Sequence, residues 1–506
     1  MAKNEREKLR KGVGERKSLI RLMWRWNCAP ELKLIFTILL LFCSIATLLQ
    51  FLPTRFFPFS TNVTSCPTTS ISTPIISSDK SPSPPKQPSD QILDNGVIKR
   101  SFYPVGTAAY NFVLMSAYRG GPNTFAIMGL SSKPLHNYGH PSYMCEYQSE
   151  PPPTPTASGS SNNNMIVPGE KLSFQDFGYA RVYLVIVVNC TFPRGMDPSR
   201  GGRLLLHAST NGGFDQAVNS TDTIIALEES PNSWDPSQFV TPPKYEFLYC
   251  GGSLFGDLSP QRVREWIAYH VRLFGSESHF VFHDAGGVHP EVMEVLKPWM
   301  ELGFVTVHDV KEQERFDAFY HNQMLILNDC LHRHRFATKW MFFFDVDEYI
   351  YLPGKSSLQS IMDSLKDYTL FVIEQVSMSN RLCLSEDAAQ ISKKWGFEKL
   401  VYKNAKKARR DNKYAIQPRN VYATGVHMSE NFVGKSTRLP NTLMKYFHYQ
   451  GTVADRHEPC RQFLDNPSIK VENTPYVQDT SIRSVAPFVK RFELDTIGSR
   501  LQSTKL

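Results

Sequence analysis

The chain has 506 residues, 41% of them hydrophobic and 21% charged, which suits two or three globular domains and excludes a wholly disordered polymer. Its formal charge of +8 is unevenly placed: residues 1–33 carry ten Lys/Arg against four Asp/Glu, and the rest carries 46 against 44. A body that near neutrality does not have the composition of a nucleic-acid-binding protein.

Residues 1–33 form a basic leader. Leu34–Leu52 follows with 19 residues and no formal charge. At 1.5 Å per helical residue that run reaches roughly 28 Å, the thickness of a bilayer's hydrocarbon core. A cleaved signal peptide would have a shorter basic leader and a shorter apolar core than these. The segment therefore predicts a single transmembrane helix. The positive-inside rule leaves residues 1–33 in the cytosol and everything after the span in a lumen.

Residues 53–94 begin as a Pro/Ser/Thr-rich stem (T-S-C-P-T-T-S-I-S-T-P, then S-P-S-P-P-K-Q-P) too poor in apolar surface to fold. Sequons at Asn62, Asn189 and Asn219 are glycosylation acceptors if lumenal. Seven cysteines lie beyond the span: Cys66, Cys145, Cys190, Cys250, Cys330, Cys383 and Cys460. They show no C-x-x-C spacing, which argues against zinc and, in an oxidising lumen, for disulfides. The odd count leaves one over. Cys66 in the stem is the candidate to stay free or to join two chains as a homodimer.

Between 95 and 238, short apolar or β-branched runs alternate with Gly, Pro and Asn clusters. The runs are Ala108–Ala117, Thr124–Leu130, Ala180–Asn189, Arg203–Ala208 and Thr223–Leu227. They predict an all-β sandwich, either carbohydrate-binding or a structural spacer. From 239 to 490 the pattern turns to alternating strands and helices, with 491–506 left as a tail. Tyr245–Cys250 is a strand; Ser259 caps and Pro260 opens a helix that Gly275 stops. A strand His279–His283, a helix Pro290–Met300, a strand Phe304–Val307 and a helix Phe316–His332 follow. This order predicts an α/β sheet of mainly parallel strands. Its nucleotide pocket is expected at Cys250, Gly251 and Gly252 and at Asp284–Gly287, where glycines let a ligand approach the backbone.

The apolar run Trp340–Phe344 then ends in Asp345 and Asp347. At alternate positions of one strand the two carboxylates point the same way. They can share a divalent cation whose other ligands are phosphate oxygens, as a transferase with a nucleoside diphosphate leaving group requires. Glu348, on the opposite face by alternation, is assigned to structure, as is His270 on its helix's apolar face. Lys403–Lys413 holds six basic residues and one acid. It reads as a solvated face, with attraction of an anionic donor or acceptor as the functional alternative.

Four segments in order, R-E-W-I-A-Y-H-V-R-L-F-G (from Arg264), H-F-V-F-H-D (from His279), H-N-Q-M-L-I-L-N-D-C-L (from His321) and M-F-F-F-D-V-D-E-Y-I (from Met341), resemble glycosyltransferase family 92. Y-A-I-Q-P-R-N-V, T-G-V-H and F-H-Y-Q-G further on fit the same pattern. With a membrane anchor and a β module, the chain is most similar to that family's plant β-1,4-galactan synthases. The resemblance implies a GT-A catalytic fold, a carbohydrate-binding β module, and a Golgi location with the catalytic domain lumenal. It implies inverting transfer of galactose from UDP-galactose to β-1,4-galactan side chains of pectic rhamnogalacturonan I. Mn²⁺ would be held by Asp345, Asp347 and a later histidine, His448 in preference to His427, with Asp345 also touching the donor. Inversion needs a general base; Glu374, Glu398 and Asp411 are the candidates, and the sequence does not choose among them. Two rivals weigh less. A haloacid-dehalogenase-type phosphatase expects Thr or Val where Tyr349 stands, and the intact D-V-D argues against a non-catalytic lumenal lectin.

Overall fold

The computed structural model describes residues 89–105, 111–132, 141–150, 164–173, 182–210, 220–316, 320–354, 356–406, 412–454 and 456–501. The leader, the span Leu34–Leu52, nearly all of the stem, Cys66, Asn62, Asn219 and Asp411 lie outside these residues. No helix among the described residues is long and apolar enough to cross a membrane.

The α/β sheet starts before the sandwich does. Strands β1 (Gln91–Ile92) and β2 (Ile98–Lys99) pair with each other, and β2 runs parallel to β14 (Val305–Asp309) of that sheet. The sandwich, expected from residue 95, is thus inserted after the sheet's own first strands. It comprises a five-stranded sheet, β3 (Tyr103–Val105), β4 (Phe112–Arg119), β5 (Thr124–Ser132), β8 (Glu170–Ser173) and β9 (Tyr183–Thr191), in the order β3-β4-β5-β9-β8. Facing it are β6 (Ser142–Ser149), β7 (Met165–Pro168), β10 (Gly202–Thr210) and β11 (Ser220–Glu229), in the order β11-β10-β6-β7. Phe112, Phe125 and Ile127 from one sheet pack on Tyr147, Leu206 and Ile224 from the other. Cys145–Cys190 joins the two layers. Asn189 is half-buried on β9, between β5 and β8.

The largest sheet among the described residues is mixed, with 11 strands. Parallel pairings link β2, β14, β13 (Ser278–Asp284), β12 (Tyr245–Leu254) and β15 (Thr338–Phe343). Beyond β15 come β18 (Lys413–Ile416) and β17 (Leu370–Ser377), then β19 (Lys445–His448) and β16 (Glu348–Tyr351), with antiparallel pairings dominant. Every residue of β13 is buried, as expected where helices cover both faces of a parallel sheet. On one face Tyr249, Phe282 and Phe342 meet Trp266 and Val271 of α1 (Pro260–Phe274) and Trp299 of α2 (Pro290–Glu301). Helix α4 (Ala486–Ile497), which crosses the expected start of the tail, adds Val489 there. On the other face Leu248, Val281 and Met341 meet Leu327 and Leu331 of α3 (Gln323–His334), with Cys250–Cys330 tying β12 to α3.

Helix α1 starts and stops where its residues direct. The Ser259 side chain accepts from the Arg262 N–H, Pro260 occupies the first turn, and Gly275 terminates at φ +84°. Helix α3 begins at Gln323, seven residues after its expected start at Phe316. Tyr320, His321 and Asn322 have φ between +51° and +54°, which no right-handed helix accommodates. The outer face of α3 packs Leu325 and Ile326 on Val113, Met115, Met128 and Val187 of the sandwich. Within that contact Asp329, fully buried, accepts from Arg100, Ser116 (2.6 Å) and Tyr118 (2.8 Å).

Candidate active site

Strand β15 stops at Phe343, and residues 344–347 turn instead of continuing it. The Glu348 N–H donates to Asp345 O (3.1 Å), and the Asp345 N–H donates to Glu348 Oε2 (2.7 Å). From the core below, the Trp266 indole N–H donates to Asp345 O (3.1 Å) and Glu348 O (2.8 Å). The expected strand geometry for Asp345 and Asp347 is therefore replaced by a turn pinned to a buried tryptophan. Chain reversal is needed because β15 ends in the central sheet while β16 belongs to its far edge.

That reversal brings the later histidine in. Strand β16 runs antiparallel to β19 with Glu348 opposite His448, and His448 Nε2 lies 3.6 Å from Asp347 Oδ1. Asp347 is held twice more, its carbonyl accepting from Tyr449 N (2.9 Å) and its Oδ2 from Gly451 N (3.0 Å). Gly451 makes this closing turn at φ +76°, a conformation that suits glycine. The Gln375 amide lies 2.6 Å from His448 Nδ1.

Two residues assigned otherwise from sequence enter the site. Lys413, the last residue of the basic run, turns inward and is only 2% exposed. Its Nζ sits 2.8 Å from Asp345 Oδ2 and 3.7 Å from Glu348 Oε2. Glu348 keeps its structural role in holding the turn, but it shares the face of this cluster and does not oppose it. Burial pushes its carboxyl up to about 8, with Lys413 pulling the other way. Burial also disfavours charge on Asp345, yet Lys413 outweighs it and holds that carboxyl below the usual range. For Lys413 itself, burial is overcome by Asp345 and Glu348 and the ammonium is strengthened. For His448, burial is overcome by Asp347 and the imidazolium is favoured.

Asp345, Asp347 and His448 open onto a cavity of about 380 Å³ whose walls also include Gly252, Phe255 and Gln323. Asp345 is 46% exposed there. Phe255 stacks on His321 with ring centroids 3.9 Å apart and meets Tyr320 edge-on. No sequence signal marked this aromatic wall, because it depends on the left-handed turn at 320–322.

Other expected site residues fall elsewhere. Cys250 is fully buried in its disulfide, and Gly251 gives its carbonyl to His283 at 2.8 Å, so both act as scaffold. Asp284 Oδ1 accepts from the N–H groups of Gly286 and Val288 while Oδ2 pairs with Lys311, which fixes the D-A-G-G turn. Glu374 alternates away from Gln375 on β17, toward Arg438 at 3.9 Å. Glu398 caps the short helix Gly396–Lys399 through the Trp395 N–H and pairs with Lys490. His427 is exposed, meets Asn412 O at 3.2 Å and does not line the cavity. His270 is structural, bridging Trp266 O and the Ile350 N–H.

Among the described residues, no three His, Cys, Asp or Glu side chains stand together at metal-ligating spacing. In kind, however, two carboxylates and an imidazole at one cavity suit a hard divalent cation such as Mn²⁺.

Residues 245–484 match the profile of glycosyltransferase family 92, a stretch that opens at β12 and holds Asp345, Asp347, Lys413 and His448. The chain is 53% identical over 495 residues to galactan beta-1,4-galactosyltransferase GALS3 of Arabidopsis thaliana, covering 95% of this chain and 96% of that one. It is 55% identical to GALS2 of the same plant (80% of this chain, 78% of that one) and 46% identical to GALS1 (80% of each). With that identity across nearly its whole length, the chain is a glycosyltransferase and belongs to family 92.

Proposed function

We propose that the protein is an inverting β-1,4-galactosyltransferase that moves galactose from UDP-galactose onto β-1,4-galactan chains, the side chains of pectic rhamnogalacturonan I. Its catalytic domain is of GT-A type and faces the Golgi lumen behind the anchor Leu34–Leu52. The observation that carries this reading is the meeting of Asp345, Asp347 and His448 from separate elements at one cavity, in a chain so similar to galactan galactosyltransferases.

Asp345, Asp347 and His448 would hold Mn²⁺, which when bound offsets the charge that develops on departing UDP. Lys413 keeps Asp345 ionised and ready to ligate. The wall from Gly252 to Phe255, with Tyr320 across from it, gives the donor nucleotide backbone and aromatic surface to lie against. Inversion also requires a base for the acceptor hydroxyl. Asp345 and Asp347 are the carboxylates lining the cavity among the described residues. Glu374 is directed to Arg438 and Glu398 to the Trp395 N–H, which leaves Asp411, outside the described residues, as the remaining candidate of the three.

The test is competition between labelled UDP-galactose and UDP-glucose on galacto-oligomers, using detergent-solubilised full chain, with and without EDTA. Galactose should be preferred, and activity should vanish with chelator and return with Mn²⁺. Preference for glucose would overturn the donor, and indifference to chelator would overturn the cation. Discrimination between the two epimers rests on single hydroxyl contacts, whose loss leaves buried polar partners unpaired.

A further inference from the structure

We propose that a second cavity, across one wall from the candidate active site, binds a carboxylate-bearing stretch of polysaccharide and so anchors the acceptor. The inference rests on the transferase reading above and adds a site to it. The dividing wall is formed by Leu258–Ser259 and Val453–Ala454, joined by the Ser259 N–H to Val453 O bond of 2.6 Å. Leu258, Val453 and Ala454 line the first cavity. Ser259, Pro260 and Arg456 line the second, of about 780 Å³.

Eight Lys and Arg side chains line this second cavity against three Glu. Some are committed to buried acids: Arg264 to Glu493, Lys394 to Asp387, Lys490 to Glu398. Arg262 is not fully committed. It is 8% exposed, and its Nη1 alone takes both oxygens of Glu265, at 2.9 and 2.8 Å. Its Nε and Nη2 have no partner among the described residues. Gly396 makes room for this guanidinium, since a Cβ there would fall 1.8 Å from Nη1. At the rim, Lys393 is exposed and has no carboxylate partner among the described residues. Arg456 and Arg491 pair with Asp257, Glu291 and Asp495, all more than half exposed. Such surface pairs give way readily to a better-placed anion.

A guanidinium with open N–H groups in a walled cleft matches the planar fork of a carboxylate. Further cations spaced around the rim match carboxylates that repeat along a chain, which a single diphosphate does not offer. The volume is within the range of clefts that take a small-molecule-sized segment of a ligand. A polymer gripped by acidic residues here is one wall away from the transfer site, so neutral side chains carried on it are delivered at high local concentration.

The test measures binding of tetragalacturonate, neutral β-1,4-galactotetraose and inorganic phosphate to detergent-solubilised full chain, at low and high salt and without donor. Tetragalacturonate should bind, weaken with salt, and lose about tenfold affinity in each of Arg262→Gln and Lys393→Gln. Transfer to galactotetraose should be unchanged in both variants. If Arg262→Gln melts early, Lys393→Gln and Arg491→Gln carry the test, being exposed. Unchanged affinity in folded variants overturns the proposal. So does phosphate that competes fully, which would make this a small-anion site. Wild-type protein that binds tetragalacturonate yet never transfers to galactotetraose would refute the transferase reading and leave the cavity's assignment standing.

Discussion

The Lys413 ammonium and the Asp345 carboxylate stand 2.8 Å apart, brought together by strand pairing. Tyr414 lies opposite Phe343 in the β15–β18 ladder, which places Lys413 beside the turn that carries Asp345. Glu348 completes the group at 3.7 Å. One buried cation thus serves two carboxylates, of which Asp345 reaches the cavity and Glu348 does not. Removing it should cost more than an ordinary surface pair would. Lys413→Met is expected to lose about 3 kcal/mol of stability, the scale of a buried pair broken on one side. Asp345→Asn in the same chain should recover part of that loss, since Asp345 is the carboxylate left without its 2.8 Å partner. Denaturant titration of the single and double variants is the measurement, and strict additivity would show that the two residues do not interact.

Glu348 also makes a pH prediction. Its folded carboxyl titrates at about 8 against 4.5 when unfolded. Between those values the folded state holds the proton more tightly, so this group's stability is complete below about 4.5 and is lost as pH rises through about 8. Buried His270 and His332, both lowered to about 3 by burial, act oppositely and cost stability as pH falls below 6.5. The difference between wild type and Glu348→Gln isolates the glutamate. Wild type should lose stability relative to the variant from pH 5 to 8, and a flat difference would contradict the burial argument.

Asp345→Asn and Asp347→Asn each keep the shape of the turn and remove a charged donor from the cavity. Transfer should fall by about a thousandfold or more, the scale of several kcal/mol of leaving-group stabilisation. Thermal melts should stay near wild type for Asp347, whose Oδ2 contact with Gly451 an amide oxygen can keep. Near-normal turnover in either folded variant would remove that residue from the mechanism.

Much of this architecture is legible from local chemistry, and the parts that are not share a cause. Ser259, Pro260 and Gly275 mark both ends of α1 because capping depends on neighbours in sequence. The apolar run locates the D-V-D motif at the end of β15, yet the turn that orients it requires Trp266 from another helix. Lys413 reads as a solvated residue in sequence because six cations in eleven positions usually are. Its burial depends on β15 lying alongside, a pairing no local pattern encodes. Strand alternation puts Glu348 on the opposite face, a rule that fails where the chain leaves the strand after Phe343. Ile98 and Lys99 read as sandwich because their partner β14 lies more than 200 residues further on.

The sandwich should not behave as an independent module. Its five-stranded sheet turns Val113, Met115, Ala126, Met128, Leu130 and Val187 onto the catalytic domain, and its Ser116 and Tyr118 hydroxyls are spent on Asp329. Cut free, residues 101–235 would expose a continuous apolar patch of the kind that drives association. We expect that fragment to self-associate in size-exclusion chromatography while the chain from residue 89 runs as a defined species. A monodisperse, well-folded fragment would show that the interface is dispensable. Galactan binding by the sandwich is therefore best measured by substitution on its outer face within the whole chain.

The last prediction concerns how His448 is held. Its Nδ1 meets the Gln375 amide at 2.6 Å, and Gln375 Oε1 is buried without a partner among the described residues. To ligate a cation through Nε2, the ring must carry its proton on Nδ1, and that N–H then needs an acceptor. Gln375 supplies one if its amide turns over, which also satisfies the stranded oxygen. Groups that orient a metal-binding histidine in this way are typically worth about 10- to 100-fold in metal affinity. Gln375→Leu should therefore weaken Mn²⁺ binding by about that factor, while His448→Ala weakens it further and His427→Ala leaves it unchanged. Mn²⁺ titration followed by electron paramagnetic resonance reads the affinity without turnover. Equal affinity in wild type and His448→Ala would take the histidine out of the metal site, and with it the role of Gln375.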